Sequence, residues 1–130
     1  MGKLYRAYVK SFSSAPLEET LFFECVSPLL DSPEVKGLEV FEQHFQINRL
    51  QHIVSVSYIS FLVCRRLGLD WRTAATGGIL HDLFYYDWRE NERSHRPHGY
   101  LHPGFALRNA RELCGPLDKK LENIIIRHMW

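Results

Sequence analysis

The most regular hydrophobic pattern of the chain lies at its centre, over residues 47–67. Apolar side chains would occupy nearly every face of a helix here, and the stretch contains neither glycine nor proline. A helix that is apolar on all sides is buried by its neighbours, and an apolar run of this length favours a helix over a strand. Gly68 stands where a C-terminal glycine cap belongs. We therefore predict a buried central helix.

Shorter helical segments precede this central helix. One amphipathic segment covers residues 3–12, and a second begins near Pro16, with acidic residues in its first turn. Ser32, Pro33 and Glu34 are typical of the cap, first residue and first turn of a third helix.

Helical signals also dominate the second half of the chain. Asp70 is placed to cap a helix over residues 71–81, whereas residues 84–101 are aromatic, charged and interrupted by Pro and Gly, as in an ordered loop. Two further helices are predicted over residues 103–113 and 117–130. Because no alternating run reaches convincing strand length, the predicted fold is all-α.

Composition narrows the class of protein. A chain of 130 residues fits one domain. A net charge of +1 does not favour a nucleic-acid polymer or an anionic membrane as partner. The longest uncharged run, residues 50–64, is shorter than the ~20 residues of a membrane span. Three scattered cysteines without a CxxC pair, and no apolar leader, indicate reduced thiols in a cytoplasmic protein.

Four of the seven histidines are predicted to face the core from separate helical segments. His52 shares a stripe with Val56, Ile59 and Val63; His81 follows two glycines that would clear space around its ring; His102 and His128 lie on small-residue and apolar faces. One such histidine is usually only a hydrogen-bonded core residue. Four such histidines together with Asp82 favour a metal site. Buried imidazoles and carboxylates need partners, and both are ligands for zinc, iron and manganese.

The order of these residues carries a resemblance to a known family. The segments RLQH ending at His52, GILHD ending at Asp82, HPGFA beginning at His102 and IIRH ending at His128 resemble the HD-domain superfamily of metal-dependent phosphohydrolases. The match covers about residues 47–130. The stretch Tyr86-Asp87-Trp88 is similar to small bacterial HD proteins with an aromatic segment after the HD pair.

The resemblance implies a helical bundle, with residues 1–46 packing on an HD core of residues 47–130. It implies that His52, His81 and Asp82 hold one divalent metal and that Asp82 bridges to a second, held by His102 and His128. The ion would be Mn, Fe, Co, Zn, Ni or Mg, and metal-activated water would attack the phosphorus of a small phosphate ester, a nucleotide being one candidate. Asp82 is then the catalytic residue.

Two departures from the family pattern matter. Leu83 and Phe84 follow Asp82 where many relatives have Ile-Gly, which changes the loop rather than the ligands. The family closes with an aspartate on a later helix, whereas this sequence ends two residues after His128, on Met129 and Trp130. We therefore expect a longer natural protein, or copies that associate through an exposed apolar end.

Weaker candidates surround this set. Arg49, His98 and Arg127 are expected to contact substrate, since a guanidinium matches phosphate geometry. His95 is more typical of a solvated loop and His44 of a structural position, and Asp87 is either a loop cap or a carboxylate supporting a histidine. Two other functional classes stay open: a di-iron oxygenase on an HD-like scaffold, and a non-catalytic metal-binding regulator or incomplete fragment.

Overall fold

A computed structural model describes residues 16–44, 46–87, 89 and 97–129. Within these ranges the regular secondary structure is helical apart from one small hairpin, which confirms the all-α prediction. The predicted helix over residues 3–12 lies outside the described residues. The helices are α1 (Pro16–Leu30), α2 (Pro33–Lys36), α3 (Arg49–Arg66), α4 (Trp71–Leu80), α5 (His98–Cys114) and α6 (Lys119–Ile126), and a 3₁₀ turn (Gly37–Val40) follows α2.

The central helix α3 begins two residues later than predicted because Asn48 caps it. The Asn48 side chain accepts from the backbone of Gln51, and the Gln51 side chain accepts from the backbone of Asn48, which together form a capping box. At the other end Gly68 has a φ of +69°, so the predicted glycine cap is confirmed. The helix is not buried on every side: Ile59 and Val63 are 45% and 49% exposed. The stripe predicted through His52 and these two residues was therefore wrong beyond Val56.

A two-stranded antiparallel hairpin precedes α3 and was not predicted. Its strands are β1 (Glu42–His44) and β2 (Ile47–Asn48), which pair Glu42 with Asn48 and His44 with Ile47. Strands of three and two residues are too short to produce the alternation by which strands are recognised in a sequence.

Helix α4 packs closely against two other helices at a pair of glycines. A Cβ atom on Gly78 would lie 2.4 Å from the Cα of Ser57 in α3, and one on Gly77 would lie 2.5 Å from the Cγ2 of Ile124 in α6. These glycines therefore permit close helix approach, and the expectation that they also clear space around the His81 ring stays a prediction.

The two C-terminal helices differ from the predicted bounds. Helix α5 begins at His98, so Pro103 lies inside it, and the loop predicted over residues 84–101 ends earlier than expected. Proline is tolerated best in the first turn of a helix, which is why the sequence predicts a helix that begins at Pro103. Helix α6 begins after its cap Asp118 and ends at Ile126, so His128 lies in the following turn and Trp130 lies outside the described residues.

One hydrophobic core joins the helices. Its largest fully buried apolar side chains come from α1, the 3₁₀ turn, α3, α4 and α6 and from the segment after α4: Phe22, Leu38, Leu50, Ile53, Tyr58, Phe61, Ile79, Leu80, Leu83, Phe84 and Ile125. The division into residues 1–46 and 47–130 stays a prediction. No helix in the described part of the chain is both long and apolar enough to cross a membrane.

Candidate metal centre

Five side chains from four helical segments meet around one carboxylate. His52 lies in the first turn of α3, His81 and Asp82 follow the last residue of α4, His102 lies in α5, and His128 lies in the turn after α6. The four imidazole Nε2 atoms lie 3.2–3.4 Å from the oxygens of Asp82. The structure therefore brings together all five residues named as metal ligands from the sequence.

The two carboxylate oxygens divide the histidines into two pairs. Oδ2 of Asp82 lies 3.2 Å from His52 Nε2 and 3.4 Å from His81 Nε2. Oδ1 lies 3.3 Å from the Nε2 atoms of both His102 and His128. Each triad has potential ligand atoms within 4.8 Å of one another, so each could hold a metal ion with Asp82 shared between them.

Backbone carbonyl groups fix the orientation of three of the rings. In each case Nδ1 lies within hydrogen-bond distance of a carbonyl three or four residues earlier, which assigns the proton to Nδ1 and the lone pair to Nε2. The same arrangement orients histidine ligands in metalloproteins. The pairs are His81 with Gly78 at 2.6 Å, His102 with His98 at 2.8 Å, and His128 with Ile125 at 2.7 Å.

This assignment turns lone pairs toward one another at the centre. The Nε2 atoms of His102 and His128 lie only 2.8 Å apart. Two imidazoles that both carry their proton on Nδ1 repel at this distance unless a cation or an added proton lies with them. Contacts with Asp82 and with the Ile125 carbonyl raise the pKa of His128 above its ordinary value, although burial alone would lower it. The site thus attracts positive charge.

The carboxylate of Asp82 is a buried anion. Burial raises its pKa, but the contacts with His102, His128, His52 and His81 lower it by more, so that the pKa stays far below its usual range. Its Oδ1 atom is buried without a hydrogen-bond donor. Asp82 also follows the C-terminal end of α4, where the helix dipole disfavours negative charge. A buried carboxylate in this position needs a cation, and the donor set fits a divalent metal.

A comparison with protein families agrees with this geometry. The sequence model of the HD domain family matches residues 49–129. The chain belongs to the HD domain family. HD domains bind divalent metals and are generally phosphohydrolases. Neither the comparison with curated proteins nor the comparison with solved structures found a match.

Sequence reasoning missed one polar residue that contacts the HD aspartate. The Nε2 of Gln43 donates to Oδ2 of Asp82 at 3.2 Å, and its Oε1 accepts from Nε of Arg49 at 3.1 Å. Arg49 in turn donates through a terminal nitrogen to the Phe84 carbonyl at 2.7 Å. The three residues hold Asp82 in place through bonds between the hairpin, α3 and the segment after α4. A lone Gln in a three-residue strand gives no signal in the sequence.

The segment after the HD pair is fixed from α5. Asn109 donates its side-chain N–H to the carbonyl of Leu83 at 2.8 Å. The ring of Phe84, almost fully buried, packs against His98 and His102 with ring centroids 5.2 and 5.4 Å apart. Leu83 and Phe84, the two departures from the common HDIG pattern, therefore pack the loop into the core.

The weaker candidates lie in different surroundings. Arg49 is fully buried between the rings of Phe41 and Phe84, and burial lowers its pKa to about 10. The expectation that Arg49 contacts substrate is therefore not supported by its position. His98 and Arg127 do line the cavity at the site.

His98 is closely tied to the cluster. Its ring stacks on that of His102 at 4.3 Å, and its Nδ1 lies 3.2 Å from the hydroxyl of Tyr86. Burial and the neighbouring His102 lower the pKa of His98 to about 4. Its imidazole is therefore neutral near pH 7 and does not repel a cation.

The remaining candidates can be placed in part. Asp87 accepts from the backbone and the guanidinium of Arg89, which makes it a loop cap rather than a support for a histidine. Arg89 also pairs with Glu42 and is about half exposed. His95, Trp88 and the side chain of His44 lie outside the described residues.

The cluster opens into a cavity of about 870 Å³. All five cluster residues line this cavity, together with Gln43 and His98. The rest of the lining comes from α3, α4, α6 and the turn after α6: Val56, Ser60, Cys64, Ala74, Gly77, Gly78, Asn123, Ile124, Arg127 and Met129.

Proposed function

We propose that this HD domain is a metal-dependent phosphohydrolase that acts on a small phosphate ester. The observation that supports this most directly is the convergence of four imidazole Nε2 atoms on the buried Asp82 carboxylate, with Nδ1 of three rings bonded to backbone carbonyls. Such a donor set binds a divalent cation, and the open cavity gives a substrate access to it.

In this proposal the chain's residues act in two triads. His52, His81 and Oδ2 of Asp82 would hold one ion, while His102, His128 and Oδ1 of Asp82 would hold the second. When bound, such ions lower the pKa of water and stabilise charge on a phosphoryl oxygen. Gln43 keeps Asp82 oriented through its hydrogen bond to Oδ2.

Two further residues suit an anionic substrate. Arg127, exposed at the cavity beside His128, carries a guanidinium that can bind two phosphate oxygens at once. His98, which is neutral near pH 7, lines the cavity with its ring stacked on His102 and adds no negative charge there. Within the described residues Asp82 is the carboxylate that lines the cavity, and we propose that metal offsets its repulsion of phosphate.

The cellular setting in this proposal is the cytoplasm. All three cysteines are free thiols, and Cys25 and Cys64 are only partly exposed. A near-neutral chain favours neither a nucleic-acid polymer nor a membrane as partner, so we propose a small diffusible substrate.

The proposal is tested on purified protein stripped with a chelator and reloaded with Mn²⁺, Co²⁺, Fe²⁺ or Zn²⁺. We expect hydrolysis of small phosphate esters to disappear on stripping and to return with at least one of these metals. Metal content is measured by elemental analysis on the same samples. Hydrolysis that survives the chelator would contradict the mechanism.

The same samples distinguish the alternatives. Full metal binding without turnover on a broad phosphate-ester panel would favour a metal-binding regulator. Turnover that needs iron and consumes dioxygen would favour an oxygenase, since this mixed His and Asp donor set also suits iron.

A further inference from the structure

We propose that Arg49 is a positioning residue for the metal site, which acts on Asp82 through the side-chain amide of Gln43. The hydrogen bonds from Arg49 through Gln43 to Asp82, called the relay below, fix the rotation of the Asp82 carboxylate between the two triads. This inference rests on the proposed function, because it takes Asp82 as a metal ligand. It gives Arg49 a role other than the substrate contact expected from the sequence.

The Asp82 carboxylate is not oriented by its own torsional preference. The last torsion of an aspartate side chain joins a tetrahedral carbon to a planar one, and its energy minima are broad. The site nevertheless needs one rotation, because Oδ1 and Oδ2 each face a different pair of histidines. A donor from outside the triads can hold this rotation, and Gln43 is such a donor, with Nε2 3.2 Å from Oδ2.

The amide of Gln43 joins its two neighbours in one direction only. The guanidinium of Arg49 has donors and no acceptor, whereas the ionised carboxylate of Asp82 has acceptors and no donor. The amide offers one of each: its Oε1 accepts from Arg49 Nε at 3.1 Å, while its Nε2 donates to Asp82. Because Gln43 is partly exposed at the cavity, water competes for its amide. The bond to the buried guanidinium therefore anchors the amide that holds Asp82.

Arg49 is a fixed support for this amide. Its side chain is fully buried, and its Cζ lies 4.5 Å from the ring centroid of Phe41 and 3.6 Å from that of Phe84. Its Nη1 donates to the Phe84 carbonyl at 2.7 Å, and the Phe84 N–H donates to the Asp82 carbonyl at 2.9 Å. Arg49 is thus connected to the side chain of Asp82 through Gln43 and to its main chain through Phe84, and an experiment must separate the two routes.

The cost of burying Arg49 argues that its hydrogen bonds matter more than its bulk. Burial lowers its pKa to about 10, so it stays charged near pH 7. Its Nη2 is buried and has no hydrogen-bond acceptor within the described part of the chain. A buried charge with an unsatisfied N–H is costly, and an apolar side chain of similar volume is often as stable or more so. An apolar side chain could not donate to Gln43.

The test is a double-mutant cycle on Co²⁺ affinity, measured by calorimetry on chelator-stripped protein. Arg49→Met and Gln43→Met keep the length of the side chains but remove the relay, singly and together. Loss of a group that orients a metal ligand typically costs 10- to 100-fold in affinity, so we expect about this loss in each single variant. Since both variants break the same relay, the double variant should bind within about threefold of Gln43→Met.

The cycle also separates the two routes to Asp82. Losses that multiply in the double variant would overturn the relay and assign the effect of Arg49 to its bond with the Phe84 carbonyl. Gln43→Met lies on a partly exposed strand and does not depend on how Arg49→Met folds. Parent-like affinity in Gln43→Met would overturn the proposal by itself.

The visible absorption of bound Co²⁺ gives a second readout, which depends on ligand geometry and not on stability. At saturating metal we expect the two single variants and the double variant to share one spectrum that differs from the parent's. Glu42→Gln is the matched control: it lies next to Gln43 in β1 and loses only an exposed pair with Arg89, so it should keep the parent affinity and spectrum. A parent-like spectrum in Arg49→Met would show that Arg49 does not position Asp82.

Co²⁺ binding is measured without a phosphate ester, which separates this inference from the proposed function. Affinity that depends on the relay in a chain that hydrolyses no ester would support the relay and refute the phosphohydrolase. Metal-dependent hydrolysis with parent-like Co²⁺ affinity in all three variants would overturn the relay and leave the phosphohydrolase intact. A parent chain that binds no metal would contradict both.

Discussion

The helix pair α3–α4 and the helix pair α5–α6 each deliver two imidazoles to Asp82, but they are held together differently. Between α3 and α4, Gly78 allows backbone contact with Ser57, and the buried Ser57 hydroxyl donates to the Ala75 carbonyl at 2.6 Å. Between α5 and α6, an exposed ion pair joins Arg111 to Glu122 at 2.7 Å. Exposed ion pairs contribute little stability.

The difference indicates how each half of the site is arranged before metal binds. His52 and His81 are carried by a helix pair whose packing and buried hydrogen bond fix their separation. His102 lies near the beginning of α5, four residues after its first residue, and His128 lies beyond the last residue of α6. We therefore expect the α5–α6 half to depend more on the metal for its order, since a bound metal ties both pairs to Asp82.

Removal of the shared carboxylate should have the largest effect. Asp82→Asn keeps the shape of the side chain but removes the charge that both proposed metal triads share, so we expect metal binding to be lost and activity to fall by several orders of magnitude. Elemental analysis and turnover are the measurements, with circular dichroism to check helical content. The control is Asp87→Asn, which removes a nearby carboxylate bonded to Arg89 and should keep full metal content. Full occupancy in Asp82→Asn would show that the ligand assignment is wrong.

Removal of the metal should affect the α5–α6 half of the site more than the α3–α4 half. On chelation we expect amide hydrogen exchange to accelerate at least about tenfold in α5 and α6, while the buried amides of α3 and α4 change little. His128→Ala should reproduce this pattern in the presence of metal, because it removes a proposed ligand from the α5–α6 half alone. Hydrogen exchange followed by mass spectrometry measures both. Equal acceleration in all four helices would contradict the proposed difference.

Two glycine substitutions test the packing difference directly. Gly78→Ala would place a methyl group against the Ser57 backbone, and we expect it to lower the free energy of unfolding by about 1–3 kcal/mol. Gly104 in α5 has open space where a Cβ would lie, so Gly104→Ala should raise that free energy by about 0.5–1 kcal/mol through helix propensity. Denaturant titration measures both changes. If Gly78→Ala were neutral, close approach would not distinguish the α3–α4 pair.

Much of the site could be predicted because its residues follow strong local patterns. His52 lies in the central helix and His81 and Asp82 follow the helix capped by Asp70, and the sequence predicts both of these helices. The start of α5 was misplaced because Pro103, usually a first-turn residue, is tolerated inside this helix. Gln43 was missed for another reason: its role depends on a hairpin that brings it to Asp82 from 39 positions away, and no local pattern records such a contact.

The smallest expected effect concerns the ion pair that connects the two halves at the surface. The carboxylate of Asp70, the cap of α4, accepts from Lys120 of α6 at 3.0 Å, and bonds from Lys120 and Thr73 lower the pKa of Asp70 to about 2. Since this pKa is lower in the folded chain than in the unfolded one, the pair stabilises the fold above pH ~4, and that stability is lost as pH falls toward 2.

Asp70→Asn isolates this charge, because Asn caps a helix about as well as Asp and keeps the bond to the Thr73 amide. We expect the variant to melt slightly below the parent at pH 7, and the difference to shrink as pH falls from 4 toward 2. High salt should shrink it in the same way, because both groups are solvent-exposed. Thermal unfolding across this pH range measures the difference, with Lys120→Gln expected to give the same profile. A difference that persisted unchanged at pH 2 would show that Asp70 acts through its cap and not through the bond between α4 and α6.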